Sequence, residues 1–221
     1  MPNAYSALSV AAATLSLLAV ADASPKVFGL DFKRELTRDP AYTNHLQRRQ
    51  KSVQVDITNE ELLYLVNITI GSNNQPFGLQ LDTGSSDIWV PSTTSDVCQV
   101  RDCSLFGQFD ARSSSTFIEI APNAFQISYV DNSGVTGDYF ADSLTIGRTT
   151  LRNQTMALAR NASRSLGIMG IGYQRGESIA NTDPTATYPN IINVLKDQGY
   201  INTLAYSLWL NDLGEYLHGY T

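Results

Sequence analysis

One aspartate, Asp82, lies in a setting that suits a reactive carboxylate better than a surface charge. It directly follows an alternating apolar run over residues 77–81, and Gly84, two positions later, permits a tight loop. The hydroxyl groups of Thr83 and Ser85 can donate hydrogen bonds to a carboxylate held in such a loop. The pattern predicts a carboxylate where a strand meets a tight turn, a position suited to acid–base chemistry.

The elements that would position Asp82 are predicted to be strands. Residues 64–70 alternate between two unlike faces, a turn follows at 71–76, and the next strand runs into Asp82, which makes a hairpin. One short helix is expected, from near Pro189 to Gly199. Further β-prone runs lie between turn-forming clusters, over residues 116–120, 124–130, 135–146 and 205–210. This spacing predicts a mostly β fold, an antiparallel sandwich or barrel.

The composition limits the classes of function. The chain has 221 residues, of which 43% are hydrophobic, enough for one or two globular domains with a packed core. The net charge is -6, and no basic run exceeds residues 47–51, which argues against a nucleic-acid partner. The two histidines, His45 and His218, are remote in sequence from the two cysteines, so we expect neither a metal site nor a cofactor.

The ten residues that begin at Asp82 read Asp-Thr-Gly-Ser-Ser-Asp-Ile-Trp-Val-Pro. This stretch resembles the active-site segment of pepsin-like aspartic endopeptidases, particularly the secreted fungal type. The resemblance implies that Asp82 is a catalytic aspartate whose carboxylate is hydrogen-bonded by Ser85. It also implies that Thr83 and Gly84 support the catalytic loop. Residues 167–172 are similar to the apolar-apolar-glycine stretch that passes beneath that loop in this family.

The segment around Tyr129 is similar to the family's flap, the hairpin that closes over the substrate. The resemblance implies that Tyr129 closes over the substrate and pairs with Trp89, which supports the flap. Val130 and Asp131 would form part of the flap tip. The family usually has glycine where Val130 and Asn132 stand. Asparagine tolerates a positive φ but valine does so poorly, so we expect the tip to depart from the family's conformation.

The family's mechanism needs two neighbouring carboxylates that share one proton. The ionised carboxylate activates water, while the protonated one polarises the peptide carbonyl and helps deliver a proton to the leaving nitrogen. This sequence contains the Asp-Thr-Gly triplet once, and Asp183 and Asp197 are expected to be surface charges. The resemblance therefore implies the N-terminal lobe of a bilobal pepsin-like fold, truncated before the lobe that supplies the second aspartate. We expect this chain alone to be inactive.

The first residues predict export. Residues 7–20 are apolar or small and Ala21-Asp22-Ala23 has the pattern that signal peptidase reads, which indicates a signal peptide over residues 1–23. Residues 24–49 are predicted to be a propeptide that ends at a dibasic pair, and residues 50–221 to be the lobe. The apolar run is short for a membrane span, although a membrane anchor or a buried helix remains an alternative. We expect an extracellular or cell-wall-associated protein.

Four residues separate Cys98 from Cys103, and a secreted context favours a disulfide between them. The family resemblance implies the same pairing. Three sequons, at Asn67, Asn153 and Asn161, predict glycosylation. These features agree with a secreted zymogen.

Three functions stay open. The first is an endopeptidase that acts on peptide or protein substrates at acid pH. The second is a non-catalytic module of the same fold that binds peptides or proteins, since fold and function can separate. The third is a symmetric homodimer in which two copies of Asp82 form the pair. An isolated lobe would also expose apolar surface, so we expect weak self-association through that face.

Overall fold

The computed structural model describes residues 26, 28–29, 33–37, 61–130 and 132–208. Over these residues the chain forms eight strands and two short α-helices. The strands are β1 (Lys33–Thr37), β2 (Glu61–Ile70), β3 (Gln75–Asp82), β4 (Ile88–Pro91), β5 (Ile118–Ser128), β6 (Gly134–Ile146), β7 (Thr149–Ala162) and β8 (Ile168–Gly170). The helices are α1 (Asp96–Val100) and α2 (Ile191–Asp197), and 3-10 turns lie at Ala111–Ser113, Gln174–Gly176 and Ser178–Asn181. The prediction of a mostly β fold is confirmed.

The strands form one sheet that curls back on itself. Its order is β1-β2-β3-β8-β4-β7-β6-β5, and an additional pairing between β2 and β6 closes six of these strands into a barrel-like ring. Most neighbours are antiparallel, but β3 pairs with β8, and β4 with β7, in parallel. The antiparallel prediction is therefore corrected for these two pairs. Parallel neighbours need a long connection, so they bring residues distant in sequence to the end of β3.

Two main clusters and one minor cluster of buried apolar side chains fill the fold. The larger cluster joins β2 and β3 to β6, β7 and α2, and it includes Phe109 and Phe140, whose stacked rings lie 5.1 Å apart. The smaller cluster contains Trp89, Phe125 and Tyr139 and packs against the partly buried Tyr129. The side chains that bear on the candidate site therefore rest on the smaller cluster.

Strand β7 was not among the predicted strands. Its sequence carries Arg152, Asn153 and Gln154 early in the run, residues with low strand propensity. Asn153 also has a positive φ of 51°. The strand forms because β6 pairs with it along nearly its whole length, with register shifts that absorb the irregularity. Tertiary pairing thus overrides a local signal that is weak.

The runs predicted at 116–120 and 124–130 form one strand, β5, rather than two. Residues 121–123, which include Pro122, were expected to separate them. The structure accommodates them as register shifts against β6, with Asn123 at a φ of 56°. A proline is tolerated here because β5 lies at the margin of the sheet, where fewer amides must pair.

The strand predicted over 205–210 is not observed in its described part. Residues 205–208 are exposed and form no strand, and 209–210 lie outside the described residues. An alternating sequence becomes a strand only where a neighbouring strand accepts its hydrogen bonds, and no such neighbour lies beside 205–208 among the described residues.

The helix predicted near Pro189 is confirmed as α2. Asn190 is its N-cap, and the Asn190 side chain accepts a hydrogen bond from the Asn193 amide at 3.2 Å. Pro189 therefore precedes the cap instead of occupying the first turn. The helix ends before Gly199, which has a φ of 79°. Within the described ranges, no helix has the length and apolar character needed to cross a membrane.

Candidate active site

Asp82 ends β3 and is partly exposed at the start of a tight loop. Its carboxylate oxygens each accept a hydrogen bond from within the loop: Oδ1 from the Gly84 amide at 2.8 Å, and Oδ2 from the Ser85 hydroxyl at 2.6 Å. Thr83 and Gly84 face solvent, whereas Ser85 is buried. The two donors, one on each oxygen, fix the orientation of the carboxylate.

Strand β8 lies directly beneath this loop. The Ile171 amide donates to the Asp82 carbonyl at 2.9 Å, and the Gly170 amide donates to the Asp87 carbonyl at 3.0 Å. The loop comes so close that a Cβ on Gly170 would lie 2.7 Å from the Ser86 amide nitrogen and from the Asp87 carbonyl oxygen. The glycine stretch at 167–172 thus lies where the resemblance places it.

The hairpin between β5 and β6 carries Tyr129. The Tyr129 amide donates to the Ser133 carbonyl at 2.8 Å, and the Trp89 indole nitrogen donates to the Tyr129 hydroxyl at 2.7 Å. Burial raises the pKa of Tyr129 well above its usual value, and the charges of Asp82 and Asp87 raise it further. The hydroxyl therefore stays protonated.

The hairpin tip resolves the expectation about Val130 and Asn132. The positive φ falls on Asn132, at 66°, and Val130 is not among the residues with a positive φ. Val130 is 91% exposed, which leaves its side chain clear of the hairpin backbone. Asp131 lies outside the described residues. The strain expected of a valine is thus avoided because asparagine occupies the left-handed position.

Two buried acids lie behind the catalytic loop, and sequence reasoning gave neither a role. Asp87 accepts hydrogen bonds from the Tyr188 hydroxyl at 2.7 Å and the Ser178 amide at 2.8 Å. Burial raises its pKa, and these hydrogen bonds oppose the rise. Glu177 accepts from the Tyr188 amide at 2.9 Å, and burial, with the nearby charge of Asp87, raises its pKa to about 8. Asp87 is the sixth residue of the ten-residue motif and could have been noticed there, but Glu177 carries no sequence signal.

Cys98 and Cys103 form the predicted disulfide, with an S–S distance of 2.04 Å. It closes a short loop at the end of α1. The asparagines of the three sequons are exposed on the strands that bear them, Asn67 on β2 and Asn153 and Asn161 on β7. Among the described residues, no group of three or more His, Cys, Asp or Glu could hold a metal ion.

The other candidate carboxylates lie away from this arrangement. Asp183 is exposed, and hydrogen bonds from the Thr185 hydroxyl and amide hold its pKa below the usual value. Asp197 is exposed at the last residue of α2. Neither follows a strand into a tight loop, as Asp82 does.

The chain matches the family model described as eukaryotic aspartyl protease over residues 63–221. It is 41% identical over 192 residues to the probable aspartic-type endopeptidase opsB of Aspergillus fumigatus, covering 86% of this chain and 39% of that protein. It is 36% identical over 195 residues to candidapepsin-2 of Candida parapsilosis, covering 87% of this chain and 45% of that protein.

A third relative is secreted aspartic protease 4 of Candida albicans, 39% identical over 166 residues, which are 72% of this chain and 38% of that protein. The chain thus spans about two fifths of the length of these relatives. The match covers the Asp82 loop, the Tyr129 hairpin and the glycine stretch together. On this ground the chain belongs to the eukaryotic aspartyl protease family.

Proposed function

We propose that this chain supplies one half of the active site of a secreted aspartic endopeptidase that hydrolyses peptide bonds at acid pH. The observation that carries the proposal is the Asp82 carboxylate, whose two oxygens accept from the Gly84 amide and the Ser85 hydroxyl. Such a carboxylate is held in one orientation by the loop before substrate arrives. Family membership supports the same reaction class.

In the proposed reaction a peptide lies between Asp82 and the flap hairpin. The ionised carboxylate of the pair takes a proton from a water molecule as the water oxygen attacks the peptide carbonyl carbon. The protonated carboxylate of the pair hydrogen-bonds the carbonyl oxygen. The pair then holds two protons and gives one of them to the leaving nitrogen as the C–N bond breaks, which restores the single shared proton. The Tyr129 hairpin limits solvent and orients the peptide.

The partner carboxylate is proposed to come from the part of the relatives' length that this chain does not span. The 221-residue sequence carries the Asp-Thr-Gly triplet once, and neither Asp183 nor Asp197 occupies a comparable position. A second copy of Asp82 across a symmetric dimer is the alternative source. On either source, one isolated copy of the 221-residue chain lacks activity.

Export and processing form part of the proposal. We infer a signal peptide over residues 1–23, a propeptide over 24–49, a lobe over 50–221 and glycans on the sequon asparagines. The disulfide supports an oxidising compartment, and the printed name of the Candida albicans relative describes a secreted protein. The exposure of the three asparagines leaves room for glycans.

The test uses the full-length protein, meaning this chain together with the proposed source of the second carboxylate, recovered from the medium of a fungal expression host. Asp82→Asn keeps the shape of the side chain and removes the base, so cleavage of a denatured protein between pH 3 and 6 should fall by about 10³-fold or more. Asp197→Asn is the matched control, because it removes an exposed carboxylate away from the loop, and it should retain full activity. N-terminal sequencing of the secreted protein should begin near Gln50.

The outcomes separate the readings. Equal loss in both variants would point to general charge effects and count against the proposal. Peptide binding without cleavage by the unmodified protein would favour the non-catalytic module. Activity that rises with the square of dilute protein concentration would favour the homodimer, whereas activity from a strict monomer of the full-length protein supports a second carboxylate in the same chain.

A further inference from the structure

An arginine outside the catalytic motif, Arg164, is buried against the flap hairpin. It follows β7, its side chain belongs to a residue only 7% exposed, and its guanidinium carbon lies 5.1 Å from the centroid of the Tyr129 ring. A guanidinium over an aromatic face at this distance is a cation–π contact, and such contacts are stronger when desolvated. Tyr129 is thus held at two points: the Trp89 indole donates to its hydroxyl, and the Arg164 guanidinium lies over the face of its ring.

The same guanidinium reaches the other side of the hairpin. Its Nη2 donates to the Ser133 hydroxyl at 2.7 Å. Tyr129 and Ser133 are the two residues whose backbone hydrogen bond closes the hairpin tip. Arg164 therefore contacts one residue on each arm of the tip. The planar fork of an arginine allows this, and a lysine ammonium does so less well.

The residue before it adds a backbone connection. The Ser163 amide donates to the Gly134 carbonyl at 3.1 Å, and the Gly134 amide donates to the Ser163 hydroxyl at 3.1 Å. The segment at 163–164 is in turn continuous with the glycine stretch beneath the Asp82 loop. The hairpin and the catalytic loop thus share one connecting segment.

We propose that Arg164 is a positioning residue that holds the flap hairpin, through Tyr129 and Ser133, at a fixed height over Asp82. It acts through Tyr129 and does not itself touch substrate. The effect on catalysis rests on the proposed function, whereas the stabilisation of the hairpin by Arg164 can be tested without it.

The test uses amide hydrogen exchange in the full-length protein, read from peptides that cover the hairpin and, separately, β7. Arg164→Met removes the charge and the fork while keeping much of the apolar stem. It should raise exchange of the hairpin amides by about tenfold and leave β7 unchanged. Arg164→Lys, which keeps the charge, should restore part of the protection and also guards against a variant that fails to fold.

Activity gives a second readout. If the hairpin orients substrate, kcat/KM should fall in the order of unmodified protein, Arg164→Lys, Arg164→Met, while the melting temperature of the Lys variant stays close to the original. Unchanged hairpin exchange in Arg164→Met, or an equal rise in β7, would overturn the proposal. If Arg164→Met raises hairpin exchange but the unmodified protein never cleaves peptides, the positioning role of Arg164 would stand and the proposed function would be refuted.

Discussion

At the scale of single residues, the site is a set of side chains whose hydrogen bonds fix their orientation. Asp82 accepts from the Gly84 amide and the Ser85 hydroxyl, which orients the carboxylate. Trp89 donates to the hydroxyl of Tyr129. The resemblance predicted the Ser85 hydroxyl as a partner of Asp82 and the pairing of Tyr129 with Trp89, whereas the Gly84 amide was not predicted as a donor. Arg164 could not be predicted, since its contacts depend on how β7 delivers it to the hairpin.

The buried acid Glu177 leads to a prediction about stability and pH. Its pKa is about 8 in the folded protein and its ordinary value is 4.5, so between these values the folded state holds a proton that the unfolded state has released. Stability from this group is therefore full below about pH 4.5 and is lost as pH rises toward about 8. Glu177→Gln cannot ionise, so its melting temperature should fall less than that of the original protein between pH 4.5 and 8.

The matched control is Glu119→Gln, which removes an exposed acid on β5. Its melting temperature should follow that of the original protein across the same range. Circular dichroism melts at half-unit pH steps would decide the matter. Parallel curves for the original protein and Glu177→Gln would mean that Glu177 does not carry the pH dependence.

At the scale of elements, β8 holds the Asp82 loop in place because its backbone passes directly beneath the loop at Gly170. The parallel pairing aligns Asp82 with Gly170, and the amides of β8 and its successor donate to carbonyls of the loop. A side chain at this position would occupy the space where those donors and acceptors meet. Gly170 is therefore required by close approach of two backbones and not by a special φ.

Gly170→Ala should accordingly destabilise the fold by about 3 kcal/mol, because the new Cβ would lie 2.7 Å from backbone atoms that cannot move aside. Proteolytic activity of the full-length protein should fall with it. Gly78→Ala is the control in the paired strand β3, where a Cβ would meet only ordinary contacts from 3.7 Å outward. Urea unfolding should show Gly78→Ala close to neutral; equal losses in the two variants would contradict this account.

Elements also show what sequence can predict. The hairpin of β2 and β3 and the helix α2 were predictable, because their alternation, turns and caps are local features. Strand β7 was missed, since its polar start gives little local signal and its partner β6 supplies the order. The parallel pairs could not be read from periodicity either, because they join strands far apart in sequence. Local sequence patterns thus predicted the Asp82 loop, whereas the buried acids and the parallel strand next to it became visible only in the folded structure.

At the scale of the whole molecule, an apolar groove of about 470 Å³ lies beside the ends of β3 and β8. Its walls come from α2, the ends of β3 and β8, the segment at 201–208 and two residues ahead of β1. The lining includes Phe28, Leu81, Met169, Ile192, Tyr206 and Leu208. Tyr206 and Leu208 remain 49% and 40% exposed. Such a surface favours contact with other apolar surface.

We therefore expect the 221-residue chain to self-associate weakly through this groove, at concentrations above about 10 µM, since the area is small for a stable dimer. Leu208→Lys should abolish the association by placing a charge at the groove. Leu105→Lys is the control, because Leu105 is 75% exposed but does not line the groove. Sedimentation velocity across a concentration series would test this, and a sedimentation coefficient independent of concentration would exclude it.

The parallel pairing of β3 with β8 also sets an order of assembly during synthesis. Asp82 leaves the ribosome 88 positions ahead of Gly170, the residue with which it pairs. At ordinary translation speeds this interval is on the order of 10 s, during which the nascent loop has no strand beneath it. The residue proposed to do the chemistry is thus made early and organised late. The nascent chain must be synthesised through β8 before the Asp82 loop can adopt its folded conformation.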